Sequence, residues 1–572
     1  MDASLRAVVI VAAVAGALAC SGKSGPARDR GGGSGSGEGG QNNAGSNGGE
    51  GGIGSDIVLP PVESCANVDD ATVGASELRR LSFSQYRHTV RDLLDLEMDP
   101  LLRFLPDGKT GPFDANTLVP ATELDIEKYQ DSARDLAARF AIAKVRPCTP
   151  AGATDVACRD RFVDTFGLRA YRRPLTVDEK KGFQNLFDSV VHDGFDVGVR
   201  LVVEAMLQSP NLIYLPEFGA SSVSGKPSRL NGYEMATRLA LLLWESGPDN
   251  ELLAAAQDGK LQSDDDLQAQ VGRMTADPRF GRAARSFGRQ WSTIDKIGEV
   301  GKDAVRYKFW GSEFMGLAVE ETEKFFEQVF SKGDAKLSTL LLADYTYLNP
   351  EAPTPAIIYA VNRSAIGADG RTPLDPKRRS GFLTQLSVMS RTSTNERSAA
   401  INRGILIQEN FLCEHLPSPP TNVDFSLPEN ADKLSPQELL REHQKNPTCK
   451  PCHQLIDPIG FTFSRYDGVG QYREQINGVT LDESGSLPGS DIDRDVVGAR
   501  ALSQALSESE KVKGCLAMHW FRYALGRDPT EDDLCTIAQV KQAGIDSDGD
   551  FRAMLAAMAR SGSFRLVNGE AQ

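Results

Sequence analysis

Beyond residue 19 the chain has no apolar run of the length that a transmembrane helix needs, which excludes a body threaded through a bilayer by helices. Positive charge is also short. Against 63 Lys and Arg stand 78 Asp and Glu, for a net charge of −15 and a pI near 5.1, and no polybasic patch occurs. That balance argues against a nucleic-acid surface and fits a soluble exported protein. There is no P-loop, no H-E-x-x-H and no Ser/His/Asp order, so the common phosphate-binding, zinc-protease and nucleophilic signatures are missing. No repeat of fixed period appears, which argues against a solenoid or propeller, and strand signals are sparse.

The amino terminus carries the one long apolar run, Ala7 to Ala19, too short for a comfortable membrane span and suited to the core of a secretory signal. It ends in small residues and Cys20, followed by Ser21 and Gly22. This resembles a bacterial lipoprotein signal in which Cys20 is acylated and becomes the mature first residue; plain secretion is the alternative. Ser21 to Ser55 holds fifteen glycines in thirty-five residues and little that could be buried. Such a Gly/Ser coil would hold a globular body on the order of 35 Å from its anchor. The expected arrangement is a signal at 1–20, a tether at 21–63 and a soluble body anchored at the outer membrane or cell surface.

That body reads as mainly α, with several cores. Ser82 to Gln85 and Thr176 to Glu179 are capping-box patterns opening runs of helical period, and Asn231 to Glu234 opens a third. Ser435-Pro436-Gln437-Glu438 places Pro at a first helical position with Glu three residues after the cap. Asn477-Gly478 between short extended runs predicts a small β-hairpin region within 472–487. Proline- and glycine-rich stretches at Ser221–Ser228, Asn349–Pro376 and Leu416–Asn430 read as linkers. The predicted helical domains span 75–140, 148–218, 228–350 and 495–567, with a cofactor-binding domain at 375–475.

Nine cysteines are present. Cys449-Lys450-Pro451-Cys452-His453 is C-x-x-C-H, the haem c attachment signature: two thiols close thioethers on one haem and the adjacent imidazole reaches the iron. A thioredoxin-like couple or half of a zinc site shares the C-x-x-C spacing. With Cys20 assigned to lipid, six cysteines remain, an even number that suits disulfides in an oxidising compartment. Sequence proximity favours Cys148 with Cys158 and Cys515 with Cys535, leaving Cys65 with Cys413.

Several phrases then occur in a fixed order: Arg80 to Tyr86, Phe166 to Thr176, Ser209 to Tyr214, Arg238 to Trp244, Gly381 to Thr384, Asn402 to Gly404, Cys449 to His453, Ile456 to Phe461, Tyr466 to Gly470 and Tyr523 to Arg527. In these the chain resembles a family of large exported proteins of planctomycetes and myxobacteria, built from consecutive uncharacterised domains and often carrying a cytochrome c-type motif. The resemblance implies five consecutive modules from about residue 75 to 567 and a haem site near the fourth, held by Cys449, Cys452 and His453. The Thr392–Ser398 stretch departs from the family text.

If His453 ligates iron through one ring nitrogen, the other should donate to a fixed acceptor. Pro458 offers its carbonyl and Asp457 its carboxylate, although Asp457 could equally initiate a turn. The sixth iron position separates an electron carrier, closed by Met or His, from an enzyme with an open site. The candidates are Met389, His443, Met518 and His519. Met389 sits among Leu383, Leu386 and Val388, which suits a core. Arg169, Arg172 and Arg173 could pair haem propionates, with a structural turn as the plainer reading. Asp546 to Asp550 reads as a helix-connecting loop and Asp264 to Asp266 as a helix first turn. The expectation is one covalent haem c serving electron transfer to a redox partner protein, with membrane contact only through the lipid and no nucleic-acid partner. A haem-dependent oxidoreductase (peroxidase or oxygenase) and a haem-free surface scaffold are the alternatives.

Overall fold

The computed structural model describes residues 58–65, 72–98, 100, 104–117, 120–220, 227–393, 398–417, 436–445, 447, 449–476, 478–492 and 494–568. Cys20, the signal, most of the tether and the centre of the Thr392–Ser398 stretch lie outside them. The chain is mainly helical, and its strands form short two-stranded antiparallel sheets. Among the described residues no helix is long and apolar enough to cross a membrane.

Local chemistry explains where the helices start. Ser82 Oγ accepts from Gln85 N–H while the Gln85 side chain accepts from Ser82 N–H, opening α1 (Phe83–Leu93). Asp155 caps α2 (Val156–Tyr171), which ends on Arg172 in the left-handed region. Thr176 with Glu179, and Asn231 with Glu234, form the two other predicted capping boxes; the latter opens α3 (Gly232–Trp244). Downstream lie α4 (Phe280–Trp291), α5 (Ser312–Ser331) and α6 (Ser398–Asn410). Then come α7 (Pro436–His443), starting on the predicted proline, α8 (Lys450–Phe461) and α9 (Glu510–Leu525).

Burial joins these helices rather than separating them. One hydrophobic core runs from Phe113 through Trp244, Trp291, Phe326 and Phe382 to Trp520 and Phe564, and a second gathers Leu81 to Leu215 with Leu241. Two of the stretches read as linkers are built into this body. Pro227–Arg229 pairs with Leu566–Asn568 near the carboxyl end, and Arg371–Pro373 pairs with Tyr345–Tyr347. Such ladders join segments distant in sequence, which composition does not register. The predicted hairpin is present, Gln475–Ile476 against Val479–Thr480 with Gly478 at φ 82°, but Ser484–Ser486 leaves it to pair with Asp495–Val497.

Buried arginines complete the joins. Arg238 clamps Glu217 at 2.7 and 2.6 Å and donates to the carbonyls of Ser563 (3.0 Å) and Phe564 (2.8 Å). Arg403 donates to the carbonyls of Phe463 (3.1 Å), Tyr466 (3.0 Å) and Asp467 (2.8 Å); burial lowers its pKa to about 10.

The disulfides correct the sequence pairing. Cys148 is bonded to Cys158 as expected, but Cys65 joins Cys535 and Cys413 joins Cys515. Cys515 lies inside α9 and Cys535 at the start of the next helix, Leu534–Asp546, so neighbours in sequence bond to different partners across the fold.

Candidate functional site

Helix α8 carries the C-x-x-C-H pentapeptide at its amino end. Cys449 is the buried residue preceding the helix, Pro451 lies in the first turn, and Cys452 and His453 follow, both half-buried. Cys449 and Cys452 are free thiols, whereas Cys65, Cys148, Cys158, Cys413, Cys515 and Cys535 are all disulfide-bonded.

Close backbone packing fixes this helix. A Cβ on Gly404 of α6 would overlap the carbonyl oxygen of Ile456, and one on Gly460 would overlap that of Ala400, so the two helices cross at facing glycines. Gly485 presses on the Pro458 carbonyl from a third side, and Gln408 donates to the carbonyl of Leu455 at 2.9 Å. Gly460→Ala is expected to lower stability by about 3 kcal/mol, because backbone must separate to admit the methyl. Gly182→Ala, in the helix Val177–Asp188 with open space around it, is expected to stabilise by about 0.5–1 kcal/mol. Urea unfolding of both variants checks the contrast; equal effects would show that the crossing is not tight.

His453 Nδ1 lies 2.9 Å from Asp457 Oδ1, one helical turn on. Asp457 is wholly buried, and its other oxygen accepts from Gln444 Nε2 at 2.8 Å. With Nδ1–H donating to the carboxylate, Nε2 becomes the basic nitrogen, the arrangement that orients a metal-ligating imidazole and raises its basicity. This corrects two readings. The carbonyl of Pro458 is covered by Gly485 and is not the partner of His453, and Asp457 starts no turn, since α8 continues through Pro458 to Phe461.

The sixth-ligand candidates are placed as follows. Met389 is core, 1 % exposed and packed on Gly470. Met518 is partly buried against the main core. His519 lies beside the Cys413–Cys515 bond; its Nε2 is 3.0 Å from the carbonyl oxygen of Asn410 and its ring meets Phe113 edge-on. Burial, reinforced by Arg522, pushes its pKa down to about 3. His443 closes α7, and its side chain lies outside the described residues. Among the described residues the one cluster of three potential metal ligands is Cys413, Cys515 and His519, and the disulfide leaves it no thiolate.

The other sequence candidates are structural in two cases of three. Arg172 is buried, donating to the carbonyls of Leu212 (2.9 Å), Asn211 (3.1 Å) and Tyr214 (2.8 Å). Arg173 forks onto Glu179 at 2.9 Å with both terminal nitrogens. Arg169 lines a cavity. Asp550 caps the helix Phe551–Arg560, and Ser263 with Asp264 to Asp266 begins the helix Asp264–Ala276, as read.

Among the ionisable groups that sequence reasoning missed are a buried carboxyl and a half-buried lysine. Glu321 on α5 accepts from Thr346 (2.6 Å) and Tyr359 (2.5 Å), and burial raises its pKa to about 7. Lys302 donates to the carbonyls of Ser390 and Ser393, and burial, helped by nearby Arg403, lowers its pKa to about 7. Both look like ordinary surface residues in sequence. Only the three-dimensional packing marks them.

With the geometry in hand, comparison with family models gives five matches in series. They are proteins of unknown function DUF1587 over residues 79–142, DUF1595 over 158–217, DUF1592 over 230–354, DUF1588 over 379–476 and DUF1585 over 493–564. The chain is a multidomain protein of uncharacterised domains. The C-x-x-C-H pentapeptide falls in the fourth match, and α1, α2 and α3 fall in the first, second and third. Searches of curated proteins and of solved structures return no match.

Proposed function

We propose that this five-domain chain is an exported protein with one covalent haem c, held by Cys449 and Cys452 with His453 as proximal ligand, and that it transfers electrons. The observation that carries this reading is the pairing of two free thiols with a carboxylate-fixed imidazole on one helix turn, in a chain whose other described cysteines are all in disulfides. The donor set fits the group: thioethers need reduced thiols, and iron needs a basic Nε2. The zinc alternative gains no support, because among the described residues no group of three or more His, Cys, Asp or Glu side chains that includes Cys449, Cys452 or His453 is gathered closely enough to hold a metal ion. Haem bound there would supply one-electron chemistry. Asp457 would hold the His453 ring in place and raise its basicity, favouring the oxidised metal.

In this reading Cys20 carries the lipid that anchors the body to the cell envelope, and electrons pass to or from a separate redox partner protein. A second reading, a haem-dependent oxidoreductase with an open sixth position, is favoured by two observations: His519 has its Nε2 engaged by Asn410, and Met389 is enclosed in the core.

The test is a pyridine haemochrome spectrum on full-length protein matured in a periplasm competent for cytochrome c assembly. One covalent haem per chain is expected in the wild type and none in a Cys449→Ser/Cys452→Ser double variant. Wild-type protein without covalent haem overturns both redox readings. Asp457→Asn, which keeps an acceptor but removes the charge, is expected to raise the reduction potential. Stoichiometric carbon monoxide uptake by the reduced protein would select the oxidoreductase over the carrier.

A further inference from the structure

A cavity of about 330 Å³ lies where α1, α2, the turn after α3 and the start of α4 meet, so the first three matched domains all contribute to its wall. Its lining is charged, with Arg91, Asp92, Asp95, Arg169, Asp249, Arg279 and Arg282 around it, and Asp95 pairs with Lys144 at 3.5 Å.

The two wall aspartates closest to these arginines are already neutralised. Arg282 grips Asp92 through both carboxylate oxygens at 3.0 and 2.8 Å, and Ser246 Oγ adds a bond of 2.7 Å. Asp249 is forked by Arg273 at 2.9 and 3.2 Å and reached by Arg279 at 3.0 Å. Arg279 in turn lies 3.5 Å over the ring of Trp244 and pairs with Asp277, so it is held in place.

Arg169 differs from Arg279 and Arg282. It donates to the backbone carbonyl of Asp92 at 2.6 Å, and among the described residues no carboxylate forms an ion pair with it. Burial lowers its pKa despite the opposing fields of Asp92, Asp95 and Asp249, and Arg279 lowers it further. A guanidinium carries a fork of donors matched to two oxygens of one acceptor. Here one sits half-buried, with no carboxylate in ion-pair contact among the described residues, on the wall of a cavity whose volume is at the lower end of the range for small-molecule sites.

We propose that this cleft binds a small oxyanion ligand, through a carboxylate, sulfate or phosphate group paired with Arg169. Arg279, held by Asp249 and Asp277, and Arg282, held by Asp92, form the rest of the wall. The size of the cavity excludes a polymer chain passing through it and suits a molecule of about the dimensions of citrate. Because three domains share the wall, an occupant would tie them together and raise the unfolding temperature by mass action.

The experiment is calorimetric titration of the full-length protein with sodium citrate, sulfate and inorganic phosphate, against sodium chloride at matched ionic strength. At least one oxyanion is expected to bind with a Kd below about 1 mM, and which one does so identifies the group. Arg169→Gln is expected to weaken that binding by roughly tenfold or more, and Arg169→Lys, which keeps the charge but loses the fork, by an intermediate factor. If Arg169→Gln does not fold cooperatively, the Lys variant decides. Binding no tighter than chloride, or unchanged affinity in a folded Arg169 variant, overturns the proposal. Covalent haem content is not a readout here, so the result is independent of the reading of Cys449 to His453.

Discussion

Replacing Cys413 and Cys515 together by alanine is expected to lower stability by about 4–5 kcal/mol, the largest loss any pair of cysteine substitutions away from the C-x-x-C-H motif should give short of the outermost bond. The bond spans a sequence separation of 102 and holds the residues just after α6 to the middle of α9. Between its ends lie α7, α8 and the C-x-x-C-H pentapeptide. Without the bond, the unfolded chain gains the freedom of a loop of that length, and loop-closure entropy puts this near 4.7 kcal/mol for about 100 residues. Cys148–Cys158 closes a separation of only 10, for which the same relation gives about 3 kcal/mol. Urea unfolding of the two double variants tests the order. Equal losses, or a larger loss at Cys148–Cys158, would mean that local packing around the sulfurs governs the effect and loop entropy does not.

That bond also shows where sequence reading stops. The even count of six cysteines was legible, and sequence proximity identified Cys148–Cys158. The same argument failed for Cys515 and Cys535, because they sit on two successive helices and bond to Cys413 and to Cys65 respectively. Sequence separations of 102 and 470 leave no local signature. Helix starts were more legible. The capping boxes at Ser82, Thr176 and Asn231 are closed by side chain and backbone within three residues, so the information needed is local. The segments read as linkers at 221–228 and 349–376 fall at the junctions between matched families, and most of 416–430 lies outside the described residues; what composition missed is pairing, since that of Pro227–Arg229 with Leu566–Asn568 depends on a partner far along the chain.

At the candidate site, Cys449, Cys452 and His453 could be read directly, and both possible partners of His453 were in view. The choice between them turned on Pro458. A proline after Asp457 suggests a break, yet α8 runs on to Phe461, and this puts His453 and Asp457 on one face at i and i+4. Proline removes only one intrahelical donor, and the helix is held by its glycine-to-carbonyl contacts with α6 and with Gly485. Those contacts, like the burial of Glu321 and Lys302, belong to the packed structure.

A flat stability profile from pH 7 to 4.5, followed by a steep loss toward pH 3, is the second large effect expected, and it arises from two buried groups acting in opposite directions. His519 has its ordinary value of 6.5 when unfolded and about 3 when folded, because its Nδ1 is buried without a hydrogen-bond partner among the described residues. Below pH 6.5 the unfolded chain takes up a proton that the folded chain refuses, so stability falls, by about 5 kcal/mol on reaching pH 3. Glu321 runs the other way, from 4.5 unfolded to about 7 folded. Its contribution is fully present below pH 4.5 and is lost as pH rises to 7, so acidification across that window adds about 3 kcal/mol. Between pH 6.5 and 4.5 the two nearly cancel; below 4.5 only His519 of this pair continues to act, joined by carboxylates such as Glu217 and Asp533 whose pKa values are lowered in the folded chain. In Glu321→Gln the compensation disappears and the decline begins at about pH 6.5, whereas His519→Gln keeps a donor for Asn410 and should gain stability on mild acidification. Unfolding free energies of the wild type and both variants at pH 7, 4.5 and 3 isolate each group by difference, since other carboxylates titrate alike in all three proteins. If the Glu321→Gln and wild-type curves are parallel, Glu321 takes up its proton over the same range in the folded and unfolded chains, and the Thr346 and Tyr359 hydroxyls stabilise its charge as much as burial opposes it.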